Sequence, residues 1–147
     1  MISTGDRMPS FRMEAHDGQI IDSESLAGTK TVIYFYPADS TPGCTAEACN
    51  LRDNYGRFLA EGYRIIGVSK NSLASHRKFA LNNSLPFPLL SDPDHVLMEQ
   101  FGAWGEKKFC GKVSMGTLRR TYVFDSDLIC TKIIEKVDTK NHSEQIL

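Results

Sequence analysis

Long apolar runs are scarce in this sequence. The longest, around TVIYFY (Thr31–Tyr36), is far short of the roughly 20 residues that a membrane-spanning helix needs. An excess of either charge is missing too: 17 basic against 18 acidic side chains leave a formal net charge of -1. That balance offers no electrostatic basis for binding nucleic acid or an anionic membrane. Cysteine is sparse. Cys44, Cys49, Cys110 and Cys130 are too few and too irregularly spaced for a secreted module stapled by disulfides. The opening MISTGDRMPSF has no apolar core followed by a small-residue cleavage site, so no signal peptide is expected. A cytoplasmic location is the expectation, with thiols kept reduced. A close cysteine pair there points to redox chemistry or a metal before it points to a structural bridge.

What is present is ordinary for a globular chain: 41% hydrophobic and 24% charged residues over 147 positions. No repeat, linker or low-complexity tract divides the chain, and residues 1–147 are expected to form one domain. Thr31–Tyr36 and YRIIGVS (Tyr63–Ser69) are rich in β-branched and aromatic residues and read as buried strands. Between them Ala48, Leu51, Tyr55, Phe58 and Leu59 fall at helical spacing, which predicts one amphipathic helix from Thr45 to Glu61. Asn71–Asn83 reads as a second helix, and DPDHVLMEQFG as a short one capped by Asp92 or Asp94. RRTYVFD, a turn at DSD and LICTKIIEKV suggest a hairpin, and a last helix starts near His142. The order βαβα followed by ββα predicts an α/β fold, a mixed central sheet flanked by helices.

The stretch YFYPADSTPGCTAEAC carries the chemistry. Thr41 is a good helix N-cap, and Pro42 suits the first helical position because its missing N–H would be unpaired there anyway. Cys44 then occupies the third position, where a side chain can reach back toward the cap. Its sulfur is expected near the Thr41 hydroxyl and the unpaired N–H groups of the helix end, which favour a thiolate. Gly43 leaves the backbone open to a substrate. Cys49 follows five residues on, a rotation of about 140° and a rise of about 7.5 Å along a helix. The two Cα atoms are then about 8.7 Å apart, beyond the roughly 7 Å that a disulfide tolerates. The pair can bridge only if the helix unwinds, so the cysteines are expected apart in the reduced protein. Cys49 should lie off the buried face, with Thr45, Arg52 and Asp53 as neighbours. Two unrelated buried thiols and a metal clip are the other readings. The capped helix end weakens the first, and the lack of further cysteine or histidine nearby weakens the second.

These residues resemble the peroxiredoxins. Pro37, Thr41 and Cys44 fill a P-x-x-x-T-x-x-C pattern, and the step to Cys49 is similar to that of the bacterioferritin comigratory protein (Q-type) subfamily. The likeness continues through IIGVSKNSLASHRKFA, LPFPLLSDPDHVLMEQFGAWGEKKFCGK and MGTLRRTYVFD. It implies a thioredoxin-like fold with an N-terminal β-hairpin, and reduction of hydrogen peroxide and organic hydroperoxides. By the resemblance Cys44 is the peroxidatic cysteine, Thr41 bonds its sulfur and the peroxide, and Pro37 shields the pocket. Cys49 is the resolving thiol that closes a Cys44–Cys49 disulfide, and thioredoxin reopens it. The family's arginine stands six residues before the strand's closing aspartate, which selects Arg119 over Arg120. Strand alternation puts those two side chains on opposite faces.

No cofactor and no metal are expected; His16, His95 and His142 are too dispersed to form a site. His76 reads as packing or capping and Cys130 as packing. Cys110 is a bystander in a loop, Glu106–Lys108 is solvated loop, and Trp104 stands at the site edge or in the core. A monomer is expected, since no large interface patch is evident. Two other functions fit the cysteine pair: a thioredoxin-type disulfide oxidoreductase, against which the lack of a C-x-x-C counts, and a non-catalytic redox sensor.

Overall fold

In the computed structural model, which describes residues 1–147, the chain opens with a small hairpin of β1 (Arg12–Glu14) and β2 (Ile20–Asp22). A bridge from Ala15 to Leu90 ties this hairpin to the edge of the main sheet. Next come β3 (Lys30–Phe35), α1 (Pro42–Asp53), α2 (Tyr55–Ala60) and β4 (Tyr63–Ser69), then α3 (Leu73–Asn83), β5 (Leu89–Ser91) and α4 (Val96–Phe101). A second hairpin, β6 (Trp104–Phe109) and β7 (Lys112–Thr117), precedes β8 (Arg120–Phe124), β9 (Cys130–Ile134) and the terminal α5 (His142–Ile146).

Five strands form the central sheet in the order β5-β4-β3-β8-β9. β3, β4 and β5 run parallel, and β8 and β9 are antiparallel, so the sheet is mixed. Alternation along the strands loads both faces. Ile33, Phe35, Ile66, Val68, Tyr122 and Phe124 pack on one side against Leu97, Met98 and Phe101 of α4. Val32, Tyr34, Ile65, Leu89 and Val123 pack on the other against Ala48 and Leu51 of α1, Phe58 of α2 and Phe79 of α3. Cys44 belongs to this second cluster. Fully burying one such leucine or phenylalanine contributes about 1.5–3 kcal/mol, and that burial holds α1 across the strand ends.

Three expectations need correction. The helix expected from Thr45 to Glu61 is two helices, broken at Asn54 (φ -107°, ψ 10°). The Asn54 side-chain amide donates to the Asn50 carbonyl at 2.8 Å, the local competition that asparagine offers a helical backbone. Leu59, counted on the apolar stripe, is 56% exposed once the axis turns. Glu106–Lys108 is strand, not loop: β6 pairs with β7 around a turn at Cys110 and Gly111, both at positive φ. Asp92 does cap α4, but from outside the cap position, accepting from the Leu97 and Met98 amides at 3.2 and 2.9 Å. No helix is long and apolar enough to cross a membrane.

Candidate active site

β3 ends at Phe35, and the chain crosses Tyr36–Ser40 to enter α1 with Thr41 at the N-cap position and Pro42 in the first turn. The first bond of the helix runs from the Thr45 N–H to the Thr41 carbonyl at 2.9 Å. The Gly43 and Cys44 amides therefore remain free at the positive helix end. Cys44 is 1% exposed, in the core cluster that also holds Tyr34, Tyr36, Ala48 and Phe79. Pro37 follows Tyr36 directly and is half-buried.

The Thr41 hydroxyl does not point where capping geometry suggested. It donates to the Ala38 carbonyl at 2.8 Å, and no side-chain cap bond forms. The group that meets the sulfur is Arg119, from the turn that enters β8: Nη2 donates to Cys44 Sγ at 3.4 Å. Arg120 points away and donates through Nη1 to the Gly102 carbonyl at 2.7 Å. Gly43 has a different use from the one expected. A Cβ there would stand 3.3 Å from Arg119 Nη2, so the missing side chain makes room for the guanidinium over the helix end.

Arg119 is held from behind. Its Nη1 donates to Glu47 Oε1 at 2.7 Å, and Glu47 is fully buried one turn beyond Cys44 on the same helix face. Burial pushes the Glu47 carboxyl up to about 7, with Arg119 acting in the opposite direction. His142 of α5 lies beyond it, with Nε2 3.5 Å from Glu47 Oε2. That nitrogen takes no hydrogen to Glu47: Thr121 Oγ1 stands 2.7 Å from it, and Nδ1 stands 2.7 Å from Gln145 Oε1. The ring therefore donates from Nδ1 and accepts the Thr121 hydroxyl at Nε2, a neutral tautomer. Burial lowers its pKa accordingly. Glu47 Oε2 is left without a hydrogen bond, as is the buried Tyr34 hydroxyl nearby.

A pH experiment reads this buried acid. Between its ordinary value of 4.5 and about 7, the folded protein binds more protons at Glu47 than the unfolded chain does. The stability it lends is thus complete below 4.5 and lost as pH rises through 7. Relative to Glu47→Gln, the wild type is expected to lose roughly 2–3 kcal/mol of unfolding free energy between pH 5 and pH 8. Urea titrations of both proteins at the two pH values check this; parallel behaviour contradicts it.

Cys49 is half-buried on the side of α1 that faces α3, rather than beside Thr45 and Asp53 alone. Its thiol donates weakly to Asn83 Oδ1 at 3.7 Å, and Arg52 Nη1 donates to the Asn83 carbonyl at 2.8 Å. Both cysteines are free and α1 is unbroken between them. Of the other two thiols, Cys130 is buried in β9, which raises its pKa, and Cys110 is exposed at the β6–β7 turn. Trp104 stacks on His95 with ring centroids 3.9 Å apart. No group of three or more His, Cys, Asp or Glu side chains is placed to hold a metal ion.

Glu47 and His142 escaped the reading of the sequence. Glu47 left one usable signal, an ionisable residue on the apolar stripe of Ala48 and Leu51 three positions after Cys44. His142 left none, being 95 residues away along the chain.

Residues 4–133 match the model of the AhpC/TSA family. The chain is 37% identical to the peroxiredoxin Bcp of Escherichia coli strain K12 over 146 residues, 99% of this chain and 94% of that one. It is 35% identical to a putative peroxiredoxin bcp of Coxiella burnetii, covering 99% and 97% of the two chains. Among solved structures, a bacterioferritin comigratory protein of Xanthomonas campestris, described for its alkyl peroxide reduction, superposes with a TM-score of 0.87. The identity is 32%, over 92% of this chain and 87% of that one. Peroxidoxin BcpB of Mycobacterium tuberculosis superposes at 0.86 with 31% identity, over 99% and 94%.

Proposed function

The chain belongs to the AhpC/TSA family and is a thiol-dependent peroxidase among its peroxiredoxins, and from that premise we propose that Cys44 is the thiol that attacks peroxide and Cys49 the thiol that resolves it. The observation that carries the assignment is the Arg119 guanidinium 3.4 Å from Cys44 Sγ at the open end of α1.

The chemistry follows from that arrangement. The Cys44 thiolate attacks one peroxide oxygen; a sulfur–oxygen bond forms as the oxygen–oxygen bond breaks, and the departing oxygen leaves with the electron pair and takes up a proton. Sulfur is oxidised by two electrons to a sulfenic acid and the peroxide is reduced to water or an alcohol. Charge spreads over both oxygens in the transition state, and Arg119 with the free Gly43 and Cys44 amides supplies donors there. Glu47 keeps the guanidinium in place, a positioning role. The Cys49 thiolate then attacks the sulfenic sulfur; a sulfur–sulfur bond forms as the sulfur–oxygen bond breaks, and the hydroxide that leaves takes up a proton to become water, giving a Cys44–Cys49 disulfide.

That second step requires movement. At helical spacing the two Cα atoms stand about 8.7 Å apart, so α1 must open its first turns before the sulfurs meet. Cys49 must also leave Asn83. A dithiol reductant, for which we propose thioredoxin, then reduces the disulfide and lets α1 re-form. We place the enzyme in the cytoplasm as a monomer.

One equivalent of hydrogen peroxide followed by peptide mapping tests the pairing. A Cys44–Cys49 disulfide is expected, with Cys110 and Cys130 alkylatable. A bond to Cys110 overturns the resolving role of Cys49. Recycling is read from NADPH consumption with thioredoxin and its reductase.

A further inference from the structure

Asp39, two residues ahead of the Thr41 cap, is gathered into a buried network that the reaction chemistry does not use. Its carboxylate is 2% exposed. Oδ1 accepts the Tyr36 hydroxyl at 2.6 Å, and Oδ2 accepts Ser75 Oγ at 2.8 Å and His76 Nδ1 at 2.7 Å. Its backbone N–H donates to Asn71 Oδ1 at 2.9 Å. The loop before Cys44 is thereby tied to the end of β3, to the β4–α3 connection and to α3.

The partner of that carboxylate is a buried imidazole. His76 is fully buried, and its two ring nitrogens face only acceptors: Asp39 Oδ2 on one side and the Leu90 carbonyl, at 2.9 Å from Nε2, on the other. The Tyr36 hydroxyl, 3.4 Å from Nδ1, already gives its hydrogen to Asp39. The ring thereby ties the Asp39 loop, through Nδ1, to the Leu90 carbonyl of β5, through Nε2. Burial alone would raise the Asp39 carboxyl, but the hydrogen bonds from His76 and Tyr36 outweigh it and hold its pKa below the ordinary value.

The next residue shows what the network holds. Ser40 has φ +61°, a left-handed conformation that is unfavourable for a non-glycine residue and persists where its surroundings over-determine it. Thr41 makes no side-chain cap bond to α1, so the first turn is not locked by its own cap. The lock lies just upstream, at Asp39.

We infer that the Asp39–His76 pair is a clamp that holds α1 in its wound form, with Cys44 against Arg119, and that it yields when α1 opens to form the disulfide. The clamp rests on the thiol-peroxidase reading above. Opening the first turn frees Ser40 from the left-handed region and draws the loop off Asn71, Ser75 and His76. These bonds therefore belong to one of the two forms, which is the condition for biasing an equilibrium between them. Asp39 and His76 are positioning residues: they touch neither peroxide nor sulfur and act through the placement of Cys44.

The test is a rapid-quench series on the full chain that separates sulfenic acid formation from disulfide closure. Asp39→Ala is expected to slow the peroxide step at least tenfold and to leave disulfide closure unchanged or faster. A tenfold shift toward the disulfide form makes its reduction potential about 30 mV more negative. Asp39→Asn should fall between wild type and Asp39→Ala, because its carboxamide still accepts the Tyr36 hydroxyl and still reaches His76, while the Ser75 hydroxyl loses its acceptor. Ser75→Ala, which removes one bond and no charge, should move both rates in the direction of Asp39→Ala by a smaller factor. The clamp is overturned if Asp39→Ala slows both steps together, if neither changes, or if Asp39→Asn is as impaired as Asp39→Ala. A wild type whose Cys44 forms no sulfenic acid defeats the peroxidase reading instead, so the two failures are distinguishable.

Discussion

Cys44→Ser is expected to abolish peroxide turnover in the thioredoxin-coupled assay, to the background of peroxide with the reductants alone. The hydroxyl that replaces the thiol is not ionised at neutral pH and cannot form the sulfenic acid on which the second step depends. Stability should change little, because the substitution keeps nearly the same shape beside Arg119. Cys49→Ser separates the two steps. Its first turnover with peroxide should match wild type, since Cys49 lies away from the Arg119 guanidinium and faces Asn83. The reaction should then stop at a sulfenic acid that persists or is captured by an added thiol. Full thioredoxin-coupled turnover in Cys49→Ser would move the resolving role to another thiol, and Cys110 is the exposed one.

Arg119→Ala is expected to lower the rate constant for the peroxide step by about 10²–10³-fold, the usual loss when one donor to a developing charge is removed. Two effects act together. The sulfur loses the donor at 3.4 Å, and Glu47 loses its only ion-pair partner while remaining fully buried. Arg119 holds the Glu47 pKa down against burial, so its removal should drive that carboxyl further toward the neutral form. The variant should thus fold yet react slowly, and disulfide closure, once sulfenic acid is present, should be little affected. Arg119→Lys should recover only part of the loss. A single ammonium cannot span Cys44 and Glu47 as the two guanidinium nitrogens do. Stopped-flow measurement of the first turnover checks both variants; a loss below threefold in Arg119→Ala would remove the arginine from the proposed transition state.

Several of these features were legible in the residues before any fold was known. A strand that stops before Pro37, a cap residue at Thr41 and a proline after it place Cys44 at the start of a helix, and all of those signals are local. Helical geometry alone makes the five-residue step to Cys49 too long to bridge. Period-two alternation separates Arg119 from Arg120, and in the fold those side chains go to Cys44 and to the Gly102 carbonyl respectively. The mixed sheet followed from the order of strands and helices. Errors fell where one side chain competes with a periodic pattern. Asn54 breaks a helix that the apolar spacing would continue, and β6 is a strand of alternating character too polar to stand out.

The sequence by itself determined the elements of this protein, the helix-end thiol and the need for α1 to unwind, because each rests on contacts within a few residues and on fixed backbone periods. Only the tertiary structure decided who stands around that thiol. Arg119, Glu47 and His142 meet because β8 lies beside β3 and α5 packs on α1. Asp39 and His76 meet across 37 residues, and the Thr41 hydroxyl turns to Ala38 rather than to the sulfur. Which donor faces which acceptor depends on register and packing between distant segments, and no local pattern encodes that choice.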